Sequence, residues 1–389
     1  MSKNNYALVN GKLVTPTSVI ECGTLLVEDG TISEALTEHA KFPSAGFEIL
    51  DCAGRIVMPG FIDLHTHGGR GHDFVDTDDN TCAQLSEYYF SHGVTTLLAT
   101  LSPLSHSLLL PAVQRMAKFL ESHKTVTNII GIHLEGPYIN RAMTGGNQEK
   151  YIEAPNFEEW QKVAAAGKGH IKLMTVAPEL PGIDPIIDHA IKNGIAISVG
   201  HSKANGDIMA RMIERGVTQV THLFNSMPPL HHREVGILTE ALLSDCVDAQ
   251  LIADGIHVNA KTFRLAVKLK SPDHILVITD SIRATEKGDG KYTSAGREVV
   301  VKEGVVRADD GTLAGSTLVM EDALRFLTTA ARINLPDASK MMSLNAARAL
   351  GIDKETGSIT KGKKADIVVV DDRFRVTLTM AAGILRYRS

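Results

Sequence analysis

The sequence predicts an α/β fold: a (β/α)8 TIM-type barrel with a small β-sandwich domain built from both termini. First, eight short apolar strands alternate with amphipathic helical stretches through the middle of the chain, as a parallel sheet requires. Second, almost every one of those strands ends in a polar side chain capable of chemistry. A barrel gathers all its strand tips at one mouth, where active sites sit. Third, β-rich segments flank this middle region on both sides.

The length of 389 residues suits two or three domains, or one large barrel with an appendage. The boundaries fall at 1–58 plus 352–389 for the small β domain and 59–351 for the barrel. From Tyr6 to Val57, short apolar runs punctuated by Gly11, Gly23, Gly30 and Gly54 predict a small antiparallel sheet. The C-terminal runs ADIVVVDD, FRVTLTM and GILRYR resemble it, and neither set could bury its apolar face alone. The barrel strands are FIDLHTH, VTTLLAT, IIGIHLEG, IKLMTVAPE, IAISVGHS, TQVTHLFNS, DAQLIADG and HILVITDS. A doubly wound open sheet is the competing arrangement. A further hairpin is expected in REVVVKEGVVRADDG.

Composition excludes several classes of function. A 43% hydrophobic and 22% charged chain is neither disordered nor collagen-like. With Lys+Arg 40 against Asp+Glu 45, the net charge of −5 is unsuited to holding a nucleic-acid backbone. Aromatic residues at 5% argue against base-stacking platforms as well. Cys22, Cys52, Cys82 and Cys246 form no C-x-x-C pair, so reduced thiols and a cytoplasmic location are expected. The N-terminal MSKNNYALVNGKLVT lacks the apolar core of a signal peptide. The uncharged stretch Tyr88 to Gln114 contains Gly93, Pro103 and Pro111 and reads as a strand and a helix, not a membrane span.

Candidate chemistry lies at the strand tips. His65 and His67 close the first strand and share a face, so both could bind one divalent ion; alternatively they are structural histidines. Glu135, held by Gly136-Pro137 after the third strand, could bind one metal or bridge two. His201 and His222 follow buried strands, where each could equally be a satisfied core histidine. Together with Glu135 they would leave an open coordination position, as a catalytic site requires. Asp280, at the tip of the eighth strand, could take a proton from water beside a cation and deliver it to a leaving group. Asn225-Ser226 and His257 offer donors at late strand tips, and His231, His232 and Arg233 add local positive charge. Leu313-Ala314-Gly315-Ser316 is either a lid or a helix start capped by Ser316. GGRGHD, with no Lys, reads as an active-site loop rather than a phosphate loop.

The series PGFIDLHTHG, GIHLEGPYI, TVAPE, VGHS, THLFNSM, HHREVG, LIADGIHV, LVITDS and TLAGST resembles the N-acetylglucosamine-6-phosphate deacetylases of the amidohydrolase superfamily, over nearly the whole chain. The resemblance implies that Glu135, His201 and His222 bind the principal metal and that Asp280 is the catalytic acid/base, also near the metal. It implies that Asn225, Ser226, Arg233 and His257, with His232 less directly, hold a phosphosugar, and that Leu313, Ala314 and Gly315 line the site. It further implies a homodimer in which Arg233 reaches the neighbour's phosphate. Because His65 and His67 are both present, the chain resembles the two-metal members, with Glu135 bridging; Zn, Fe, Mn and Co all accept such ligands. Many relatives carry a His beyond HLEGP that polarises the substrate carbonyl. Here the segment reads MTGGNQ, leaving Asn147 or Gln148 nearby. The expected activity is metal-dependent removal of acetate from N-acetylglucosamine 6-phosphate, with no nucleic-acid or membrane partner. The alternatives are the galactosamine isomer, a deaminase or cyclic amidase, and a catalytically silent barrel scaffold.

Overall fold

A computed structural model describes residues 5–37, 40–42, 44–76, 78–122 and 127–389. The first four residues of the N-terminal stretch and His123, at the end of the helical run after the second barrel strand, lie outside them. The chain divides into two compact units, Met1–Asp63 with Ser86–Thr96 and Val319–Ser389, and Leu64–Leu85 with Leu97–Leu318.

The first unit holds a sheet built from both ends of the chain. Its leading strands are β1 (Tyr6–Val14), β2 (Val19–Glu28), β3 (Thr31–Leu36), β4 (Glu48–Asp51) and β5 (Ile56–Pro59). β1, β2 and β3 form the expected antiparallel meander. The remaining pairings differ from the all-antiparallel expectation: β4 and β5 both lie parallel to β1. The meander occupies one edge of β1, and the chain then adds β4 and β5 to the other edge. A crossover of that kind delivers a strand in the same direction.

The barrel strands follow as β6 (Phe61–Thr66), the short pair β7 (Gly68–Gly69) and β8 (His72–Asp73), β9 (Val94–Leu101), β10 (Ile129–Glu135), β11 (Ile171–Val176), β12 (Ala196–Val199), β13 (Gln219–Val220), β14 (Asp248–Ile252) and β15 (Ile275–Ile278). Leaving aside β7 and β8, these are the eight strands expected from the sequence, in sequential order from β6 to β15. Neighbouring strands from β9 to β15 run parallel. The two ends of the sheet meet through Asp280 N–H to His65 O (2.9 Å) and His67 N–H to Ser281 O (2.8 Å). The fold is therefore a closed barrel and not an open doubly wound sheet.

Helices α1 (Asp79–Ser91), α2 (His106–Ser122), α3 (Phe157–Ala166), α4 (Asp184–Lys192), α5 (Gly206–Arg215), α6 (Ile237–Leu243) and α7 (Ala260–Lys270) separate the strands. Among the described residues, no helix is long and apolar enough to cross a membrane. Asn156, Asn205 and Asn259 cap α3, α5 and α7 with side-chain acceptors, which satisfies otherwise orphaned N–H groups.

After β15 comes a three-stranded meander, β16 (Gly290–Ser294), β17 (Arg297–Lys302) and β18 (Val305–Ala308). The sequence predicts only a two-stranded hairpin there; GKYTS lacks a run of apolar residues and carries no strand signal. The chain ends in β19 (Ile367–Val370), β20 (Val376–Ala381) and β21 (Ile384–Arg388), and β19 pairs antiparallel with β5. Leu8, Leu13, Leu25, Val57, Ile367, Val369 and Met380 share one buried cluster, so both termini contribute to a single core.

Gly200 sits where two neighbouring strands crowd the backbone. A Cβ there would lie 2.6 Å from Thr221 Cβ and 2.9 Å from Thr175 Cγ2, and both are short, branched side chains with no room to retreat. Gly200→Ala is expected to destabilise the fold by about 1–3 kcal/mol through overpacking. A thermal melt of the variant against the parent, showing a drop of several degrees, checks this.

Candidate active site

The site begins with strands that stop abruptly. His201 (φ 48°), His222 (φ 28°) and Asp280 (φ 50°) each have a left-handed backbone at the tip of a buried strand. Such a φ is uncommon for non-glycine residues and is sustained only where the surroundings enforce it. It breaks the strand's alternation and turns all three side chains toward the barrel axis.

Two groups of possible metal ligands result: Glu135 with His201 and His222, and His65 with His67 and Asp280. Within each group the donor atoms all lie within 4.8 Å of one another. Glu135 Oε1 is 3.1 Å from His201 Nε2, 3.3 Å from His222 Nε2 and 3.4 Å from His65 Nε2. Its Oε2 is 3.6 Å from His67 Nε2. Asp280 Oδ1 is 3.2 Å from His67 Nε2 and 3.4 Å from His65 Nε2. Around a zinc-sized ion with donors about 2.0–2.2 Å away, neighbouring tetrahedral donors stand about 3.3 Å apart. These separations fit that pattern, so the donor set suits a divalent cation, and Glu135, a member of one group, also stands next to His65 and His67 of the other.

Three of the imidazoles are held from behind. His67 Nδ1 is 2.9 Å from Ser102 Oγ, His201 Nδ1 is 2.7 Å from Met143 O, and His65 Nδ1 is 3.3 Å from Gln250 Oε1. Partners of this kind orient a ligand ring and leave its other nitrogen free for the metal. Gln250 is itself fixed by donating to Gln219 Oε1 (2.9 Å). His133, the strand-tip imidazole that belongs to neither group, is wedged between Thr100 (3.1 Å) and Thr175 (2.8 Å) and stacks edge-on to His65.

The charges are strongly coupled to burial. Burial alone would raise the pKa of Glu135, but hydrogen bonds from His201 and His222 hold its carboxyl well below the usual range. Asp280 is likewise lowered against burial, by the charge of His65 and the hydrogen bond from His67. Burial opposes a charge on His67, yet the Asp280 hydrogen bond and the Glu135 charge push its pKa up to about 9. His133 is driven well below the ordinary histidine value, first by burial and then by His65.

The donors open into a cavity of about 200 Å³ of water-accessible space. His67, Glu135, His201, His222 and Asp280 line it, as do Asn225, Ser226, His257, Leu313, Ala314 and Gly315. His65 lies fully buried behind the lining. Asn147 faces the cavity, whereas the neighbouring Gln148 donates to Ala295 O at 3.3 Å. Arg233 and His232 are exposed, 2.6 Å from each other (Nη1 to Nε2), and are not part of the lining. The GGRGHD segment forms the β7–β8 turn and also stays outside the lining. Ser316 does not cap a helix: α8 (Met320–Arg325) has Val319 at its N-cap, and Ser316 N–H instead bonds Asp280 O.

Sequence reasoning missed Ser102, Gly145, Gly146, Ser294 and Ala295 in the lining. The glycine pair carried a signal, because a Cβ on Gly145 would strike Ser226 Oγ at 2.6 Å and one on Gly146 would strike Ala314 Cβ at 2.7 Å. Only glycine permits so close a backbone approach at both positions.

A closed (β/α)8 barrel with clustered His and carboxylate donors at one mouth defines a metal-dependent hydrolase. Residues 56–385 match the amidohydrolase family model, and the chain belongs to that family. It is 35% identical to an N-acetylglucosamine-6-phosphate deacetylase of Bacillus subtilis, over 97% of this chain and 96% of that protein. It is 30% identical to an N-acetylgalactosamine-6-phosphate deacetylase of Escherichia coli O157:H7, over 95% of this chain and 99% of that one. A solved N-acetyl-D-glucosamine-6-phosphate deacetylase from Mycobacterium smegmatis, in complex with N-acetyl-D-glucosamine-6-phosphate, superposes with a TM-score of 0.91 at 30% identity. That match covers 98% of this chain and 99% of the solved one.

Cation binding should depend on pH in a definite direction. With its pKa near 9, His67 is protonated at neutral pH in the metal-free protein, and a cation must displace that proton. Zinc affinity should therefore rise between pH 7 and 9, with proton release visible by calorimetry in buffers of different ionisation enthalpy. The metal-free fold behaves oppositely. The His67 contribution to its stability is fully present below the unfolded value of about 6.5 and fades as pH rises through about 9.

Proposed function

We propose that this chain removes the acetyl group from N-acetylglucosamine 6-phosphate, giving glucosamine 6-phosphate and acetate, in amino-sugar metabolism. The observation that carries the reading is a single cavity lined by both a cation-suited donor set and a separate group of polar side chains. The family membership and the deacetylase relatives support the same activity.

A divalent cation held there supplies Lewis-acid polarisation of the amide carbonyl and makes a nearby water more acidic. Glu135, His201 and His222 would hold one ion, and His65, His67 and Asp280 a second; Zn, Fe, Mn or Co would suit the donors. Asp280 accepts the proton of the attacking water and passes it to the departing amine. Its lowered pKa keeps it ionised at neutral pH, as a general base must be. Clamped by His65 O on its own N–H and by Ser316 N–H on its own carbonyl, Asp280 has little freedom to swing away. Asn225, Ser226 and His257 would bind the sugar phosphate, and Leu313 to Gly315 would shape the opposite wall. The phosphate is remote from the breaking bond, so these contacts would serve orientation.

Arg233 and His232, being exposed, would act in a homodimer in which each subunit's loop reaches its neighbour's phosphate. A cytoplasmic enzyme with domains at 1–58 plus 352–389 and 59–351 completes the reading. The galactosamine isomer is the second reading, favoured by the 30% identical relative that is named for it.

Asp280→Asn should lose at least about a thousandfold in kcat while keeping the ion held by Glu135, His201 and His222. Acetate release and metal analysis on the same preparation check both halves, and near-normal turnover would refute the assigned role. For the parent enzyme, kcat/KM should favour the 6-phosphorylated over the plain N-acetyl sugar by at least about 100-fold, equal values counting against a phosphosugar substrate. Running both hexosamine isomers in that assay decides between the two readings.

A further inference from the structure

The loop after β14 is folded around a single carboxylate. Asp254 Oδ1 accepts the backbone N–H groups of Ile256 and His257, each at 2.8 Å, and Oδ2 accepts from His257 Nδ1 at 2.6 Å. Gly255 between them has φ 75°, a conformation that favours glycine and lets the loop close on so short a span. Both side chains are almost buried, at 8% and 6% exposure. With Nδ1 committed to Asp254, Nε2 is the polar atom His257 can present to the cavity it lines. Asp280 and Arg307 are the other charged groups that act on the ring.

We propose that Asp254 is a positioning residue that fixes the ring plane of His257 and keeps a proton on its Nδ1, so that Nε2 is turned to an oxygen of the substrate. The proposal rests on the phosphosugar reading for the identity of that oxygen but not for the Asp254–His257 geometry. The pattern matches the way a carboxylate behind an imidazole sets which nitrogen carries the proton. The adjacent charge of Asp254 also raises the pKa of His257 against the effect of burial, which favours the donor form. The arrangement is local to five residues of the chain, A-D-G-I-H, and both carboxylate oxygens of Asp254 are engaged within them rather than with the cation donors.

A double-mutant cycle on the metal-loaded enzyme tests this. His257→Ala and Asp254→Ala should each raise KM about 10- to 100-fold, the loss expected for a hydrogen bond to a charged group, with kcat changed less than about threefold. The double variant should be no worse than His257→Ala alone, because Asp254 acts only through the ring. Additive losses, or a fall in kcat and metal content in place of KM, overturn the proposal. Asp254→Asn keeps an acceptor for the two backbone N–H groups and guards against simple loop collapse. In long-range ¹H–¹⁵N spectra of the zinc-loaded protein, His257 should carry a proton on Nδ1 as well as on Nε2 in the parent and lose the Nδ1 proton in Asp254→Asn. An unchanged pattern overturns the proposal. If the parent fails to hydrolyse the phosphosugar, the functional reading falls, while the spectra still decide the role of Asp254.

Discussion

Everything at the mouth of this barrel depends on the crowding of imidazoles around one carboxylate. Glu135 stands within 3.1–3.6 Å of four histidine Nε2 atoms. Four nitrogen lone pairs and two carboxylates cannot be brought this close in a buried space without positive charge among them. Protons supply it in the bare protein, which is why His65, His67 and His201 are shifted toward the charged form. A divalent cation supplies it more economically, since it satisfies several donors at once. The fold thus stores an electrostatic demand that metal binding relieves.

Beneath the donors lies a layer of hydroxyls and amides unusual for a barrel interior. His133 bridges Thr100 and Thr175, Thr175 bonds Thr221, and Thr221 bonds Ser198. All of these residues are buried. Such a network is stable only if its members are mutually satisfied, and it then locks side-chain orientation. The rings of His65 and His67 are held separately, by Gln250 and Ser102. Glu179 does similar work beside His201, accepting from Asn140 Nδ2, Ser202 Oγ and Lys203 N–H at 2.6–2.7 Å.

The barrel was legible in the sequence because buried parallel strands announce themselves as short apolar runs, and their polar tips recur at the same structural position. His65, His67, Glu135, His201, His222 and Asp280 could be picked out as strand-tip residues, and they stand together in space. What sequence could not carry was information held by the backbone. Met143 enters the site through its carbonyl, which no side-chain pattern encodes. Ser102 is one serine among many until the fold sets it behind His67. The strand Gly290–Ser294 has little apolar content and owes its existence to pairing with β17. The parallel pairing of β4 and β5 with β1 likewise follows from the route of the connecting chain and not from the strands themselves.

The β16–β18 meander has a small apolar core of its own, in which Val299, Val301, Val306 and Ala308 pack with Ile282 and Ala314. Its tip and the segment after it contribute Ser294, Ala295 and Leu313 to the cavity wall, while none of the six candidate cation donors comes from it. Part of the cavity wall is therefore carried by an insert whose core also takes in Ile282, two residues past Asp280, and whose following segment bonds Asp280 through Ser316 N–H. A change of side chain at Ser294, Ala295 or Leu313 would thus reshape the wall directly, whereas a change in the packing beneath it would be felt at Asp280 through Ile282 and Ser316.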